Sequence, residues 1–129
     1  MFKNQFDSVE SIKVMGRASK QMLGPNIKVL LWNIFKCKRK GWQEDFKVLS
    51  SDKDIILLQE AILNSPFDSV FKMSLQHQWI MARSFRSTKT NIETGVKTGA
   101  LVAAKTHTFI VSKHPEPFTN TKKMLLDRF

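Results

Sequence analysis

The chain has 129 residues, enough for one domain with a core, and its 42% hydrophobic content excludes a disordered polymer. One cysteine, Cys37, excludes an internal disulfide and a cysteine-based zinc site, and the lack of eighteen consecutive apolar residues excludes a membrane-spanning helix. Lys and Arg outnumber Asp and Glu by 21 to 11, a formal charge of +10, which suits either a soluble domain that happens to be basic or a surface for nucleic acid or a phospholipid headgroup.

Residues 1–26 lack a clean period. Phe2, Phe6, Val9, Ile12 and Met15 make at most a weak helical stripe, and Gly24, Pro25 and Asn26 then break the chain. The stretch reads as a leader that packs loosely or is disordered. It holds no apolar run of signal-peptide length, and a reduced, cytoplasmic compartment fits the lone cysteine.

The most informative stretch is Ile27 to Glu60. Two apolar runs, IKVLLWNI and DIILLQE, show little polar alternation, as strands covered on both faces do. Between them, after Gly41, residues Trp42, Phe46 and Leu49 form one stripe of a helix. Strand, helix and strand in this span predict a βαβ unit with parallel, adjacent strands. Asn33 and Glu60 then fall at the carboxyl ends of the strands, where open α/β sheets carry their chemistry. The loop between holds Lys36, Lys38, Arg39 and Lys40, either a solvated segment or a rim that attracts phosphate.

Further on, Ser65 and Pro66 open a second helix over about 66 to 76, with Phe67, Val70, Phe71 and Leu75 on one face. Trp79 to Ala82 suggests a third strand. Residues 84–99 are polar with two glycines and read as a loop or a ragged hairpin. ALVAA at 100–104 and Phe109 to Val111 read as strands, and Pro115 and Pro117 end the latter. Met124, Leu125, Leu126 and Phe129 leave the chain apolar where it stops, as if cut.

Glu60 is the foremost chemical candidate. A carboxylate after IILLQ needs a cation or hydrogen-bond donors. It can pair with a lysine, or hold Mg2+ together with substrate phosphate and water. Asn33 can orient a metal-bound water or a phosphate, or simply end its strand. His77, His107 and His114 lack metal-ligand spacing and read as surface or loop residues, and Asp52 and Asp54 as helix-end and strand-start residues. No glycine-rich phosphate loop precedes a helix.

With these residues in hand, the pattern resembles the endonuclease/exonuclease/phosphatase superfamily, whose first strand ends in a hydrophobic-Asn pair (here Trp32-Asn33) and whose next strand ends in Gln-Glu (Gln59-Glu60). A later Gly-led apolar strand matches Gly99 to Ala103, although Ala104 stands where serine is frequent. The closest resemblance is to an uncharacterised bacterial branch, through Trp42, Glu116-Pro117 and Lys122-Lys123. The resemblance implies Mg2+- or Mn2+-dependent hydrolysis of phosphodiester or phosphomonoester bonds. Glu60 would be the metal ligand and Asn33 would orient the phosphate or water, both as catalytic residues. It also implies a four-layer α/β/β/α sandwich. Residues 27–129 would be the N-terminal part of that domain, an α/β (α+β) half-sandwich of one mixed sheet with helices on one face. The family's Asn-x-His, Gly-Asp-x-Asn and Ser-Asp-His segments do not occur in this sequence, so the chain is expected to be inactive or weakly active. Its open sheet face would invite self-association. A basic nucleic-acid-binding protein without catalysis and an interaction module are the alternatives.

Overall fold

The computed structural model describes residues 3–5, 12–63, 76–111 and 123–129. The fold is α+β and mostly strand. Its strands are β1 (Lys3–Gln5), β2 (Ile12–Gly16), β3 (Val29–Asn33), β4 (Ile55–Leu63), β5 (Gln78–Ser87), β6 (Glu93–Ala100), β7 (Thr106–Val111) and β8 (Lys123–Arg128). Helix α1 is Trp42–Ser50. The predicted helix over 66–76 lies almost entirely outside the described residues.

β3 and β4 run parallel, in register from Val29–Ile55 to Asn33–Gln59. A parallel pair cannot be joined by a hairpin. The chain therefore returns through a 3-10 turn at Phe35–Cys37 and then α1, the βαβ unit expected from the sequence. All other pairings are antiparallel, and the mixed sheet has the order β5-β6-β4-β3, with β1 and β2 following one another along the outer edge of β5.

Strand alternation and register assign the faces. Leu30, Trp32, Ile56, Leu58, Trp79 and Met15 point toward α1, which contributes Trp42 and Phe46 to the same core. Phe46 stacks on Trp32 at 6.5 Å between centroids and meets Trp79 at 6.1 Å. Leu49, expected in this stripe, is exposed, and Ser50 is buried in its place, because the contact line follows i, i+4, i+8 down the helix.

On the opposite face, β8 lies against β5 and β6. The Thr98 hydroxyl donates to the Asp127 carboxylate there, and burial pushes the Asp127 carboxyl above its usual range. Farther along this face, Ile55 and Leu57 of β4 are half-buried. Val29 and Leu31 are 50% and 65% exposed, so β3 is an edge strand with one bare face and not the doubly covered strand its composition suggested.

Two further expectations change, and a third is narrowed to one of its alternatives. Ile12 and Met15, placed in a loose leader with a helical stripe, lie in β2, because the free edge of β5 offers backbone partners from Gln78 to Ala82. Residues 84–99 are the ragged hairpin of the two readings, with β5 extending to Ser87, β6 beginning at Glu93 and the pairing register shifting between Arg83 and Phe85. Its turn is closed by Asn91 N–H donating to Ser87 O at 2.8 Å, and Glu93 accepts from Arg83 at 3.1 Å and Arg86 at 2.8 Å. These ion pairs hold polar strands that showed no apolar alternation. ALVAA is not a strand. β6 ends at Ala100, and Val102 makes only an isolated bridge to Lys20.

The two glycines in β6 are needed for close approach. A Cβ on Gly99 would stand 2.7 Å from the Trp79 ring, and one on Gly95 only 2.0 Å from the Ala82 carbonyl oxygen. Gly99→Ala is expected to cost about 1–3 kcal/mol in urea unfolding, as overpacking does. Gly95→Ala should cost more because it meets backbone, and Gly24→Ala, with open space around it, should be neutral. Equal midpoints for all three would contradict this packing. Asp127 gives a pH signature. Its raised folded-state pKa means that its stabilising share is complete at acid pH and is lost as pH rises through that pKa. The melting temperature of Asp127→Asn relative to the parent should therefore climb between acid and neutral pH.

Candidate functional site

Asn33 ends β3, and its amide is fixed at both ends. Asn33 Oδ1 accepts from the Phe35 backbone N–H at 3.0 Å, and Asn33 Nδ2 donates to Glu60 Oε1 at 3.3 Å. The first bond assigns the oxygen side of the amide, which leaves the nitrogen side to meet the carboxylate. The parallel ladder continues one step beyond, with Ile34 N–H donating to Gln59 O at 3.0 Å.

Glu60 is not at the end of its strand. β4 runs on to Leu63, and Glu60 sits in a bulge where the register against β6 shifts between Leu58 and Ala61. Its backbone has φ 50, a left-handed conformation that costs a non-glycine residue about 1–2 kcal/mol. The bulge breaks the alternation of β4 and turns the carboxylate toward Asn33. Among the described residues with positive φ other than glycine, Phe35, Lys36, Cys37 and Glu60 gather here, and only Asn91, in the hairpin turn, lies elsewhere. Such strain concentrates at functional sites. No Lys or Arg pairs with Glu60 among the described residues, despite the charge of +10.

The basic loop divides. Lys36 is half-buried, with Nζ 5.8 Å from the Phe85 ring centroid, and Lys38 Nζ lies 5.9 Å from that of Phe35. Arg39 and Lys40 are exposed. Sequence reading missed Phe35 and Phe85. Phe35 was legible as an aromatic among cations directly after Asn33-Ile34. Phe85 became a neighbour of the loop only through the hairpin.

The remaining candidates are structural. His77 is buried, not on the surface, and its Nε2–H donates to the Lys53 carbonyl at 2.8 Å. Asp54 accepts from the Lys28 N–H at 2.8 Å. Lys53 and then Lys28 hold the Asp52 carboxyl below its usual range. His114 lies outside the described residues. Among the described residues no three His, Cys, Asp or Glu side chains gather as a metal site. The donors beside one another are one carboxylate and one amide. Of the two, the carboxylate is the group that could hold a cation, since the amide nitrogen faces Glu60 and the amide oxygen accepts from the Phe35 N–H.

No helix among the described residues is long and apolar enough to cross a membrane. No protein-family model matches the chain, and no solved structure matches it. Two curated relatives are similar. A UPF0294 protein of Vibrio parahaemolyticus is 31% identical over 74 residues, 57% of this chain and 23% of the relative. A UPF0294 protein of Vibrio campbellii is 44% identical over 41 residues, 32% of this chain and 14% of the relative. The chain thus matches less than a quarter of the length of these relatives, and their names state no activity.

Proposed function

We propose that this chain carries the metal- and phosphate-binding part of a phosphodiesterase site of the endonuclease/exonuclease/phosphatase type. The observation that carries the reading is the Asn33–Glu60 contact, made from adjacent parallel strands at a strained bulge. Glu60 would hold Mg2+ or Mn2+, and Asn33 fixes the direction of its carboxylate. When bound, the ion supplies charge neutralisation for a phosphoryl group under attack by water. Lys36, Lys38, Arg39 and Lys40 draw the phosphate in, and their loop is tied to Asn33 through the Phe35 N–H.

A general base contributes about 10²–10⁴-fold and electrostatic stabilisers often more. The Asp and His segments that supply both in the resembled family do not occur in these residues. Residues 1–129 alone are therefore expected to hydrolyse an aryl phosphodiester or plasmid DNA no faster than background with either metal. Metal binding can be read without turnover. Mn2+ should broaden the amide resonances of Asn33 and Glu60 first, and Glu60→Gln should remove the effect. A protein extended with the remaining length of a UPF0294 relative should gain EDTA-sensitive activity, lost in Glu60→Gln and much reduced in Asn33→Ala. Uniform broadening, or full activity in the extended Glu60→Gln protein, would refute the assignment.

The bare half-face of Val29 and Leu31 supports a second property, self-association through the open sheet face. Light scattering should detect association of the chain at micromolar concentration, and Leu31→Lys should reduce it. A compact monomer that binds no hydrophobic dye would rule this out.

A further inference from the structure

Phe35 is 58% exposed, which is unusual for a ring of this size. Its exposure is imposed by backbone geometry, since Phe35, Lys36 and Cys37 all have φ between 50 and 57 and Asn33 Oδ1 holds the Phe35 N–H. Lys38 stands beside this ring and Lys36 beside Phe85, in both cases just within cation–π range. Thr94 pairs with Phe85 on one side and Ile62 on the other. Phe85 therefore lies two strand spacings, about 10 Å, from the strand that bears Glu60. Rings and cations thus share one rim, from the exposed Phe35 and Lys38 through Lys36 to the half-buried Phe85, next to the Asn33–Glu60 pair.

We infer that this rim is a platform for single-stranded nucleic acid. An unpaired base stacks on Phe35, and the phosphates on either side of it meet Lys36, Lys38, Arg39 and Lys40. Interleaved rings and cations are what a flexible strand of bases and phosphates recognises. A small phosphate ester has no need of the rings, and a duplex hides its base faces. A membrane surface is a poorer match, because the loop offers one exposed ring among four cations and no broad apolar face. The inference deepens the proposed phosphodiesterase reading by naming its substrate class, and the role it gives Asn33–Glu60 rests on that reading. Binding by the rim does not.

The test is fluorescence anisotropy of the full chain with a labelled oligothymidylate, an abasic oligonucleotide of equal length and a duplex, all in EDTA so that neither metal nor hydrolysis enters. Oligothymidylate should bind more tightly than the other two. Phe35→Ala should weaken it about tenfold, the loss of one stacked base, with the abasic strand unaffected and Phe35→Trp equal to the parent. Phe35 is exposed, so the fold should survive these changes. Equal affinity for thymidylate and abasic strands, or an unchanged Phe35→Ala, would overturn the inference. So would Phe35→Ala losing binding to phosphatidylserine vesicles while keeping the oligonucleotide. Stacking with no activity in the extended protein would remove the enzyme reading and leave the nucleic-acid platform intact.

Discussion

The parallel pairing of β3 with β4 is the constraint from which the rest follows. Two parallel neighbours require a crossover, and the crossover brings α1 over the sheet with Trp42 and Phe46 facing inward. It also sets the carboxyl end of β3 beside the bulge of β4. Asn33 therefore meets Glu60 although they are 27 residues apart, and the loop that begins the crossover must leave beside them. The cations reach the site because they belong to that loop. Core, carboxylate and basic rim are thus consequences of one strand pairing.

The two faces of the sheet are built differently. Toward α1 the packing is dense enough that Gly99 has no room for a side chain. On the other face, β8 lies against β5 and β6. Among the described residues, β3 keeps Val29 and Leu31 exposed on that face, with Asn33 at the end of the strand.

Legibility in the sequence followed the range of the interactions. The βαβ unit could be read because apolar runs and a helical stripe are local signals, and Asn33 and Glu60 followed from the ends of those runs. The bulge at Glu60 could not, since it arises from a register shift against β6, a strand far along the chain. The β5–β6 hairpin was obscured because its strands are bound by backbone pairing and by the Arg83–Glu93–Arg86 ion pairs, which leave no apolar alternation. β2 was missed for a similar reason, because a strand on a free edge takes its order from its neighbour. ALVAA misled because its apolar residues serve burial in an irregular segment, where Leu101 N–H donates to Asp54 O.

The left-handed backbone at Glu60 has a consequence for how this position tolerates change. Glycine and asparagine adopt that conformation more easily than glutamate. In a library of variants ranked by heat resistance alone, residue 60 would drift toward those two residues, and the best survivors would have discarded the carboxylate. Ranking by ligand binding would keep it at the expense of a lower melting point. Position 60 is thus a place where durability and chemistry select in opposite directions, so comparing the two rankings would measure how much strain the bulge stores.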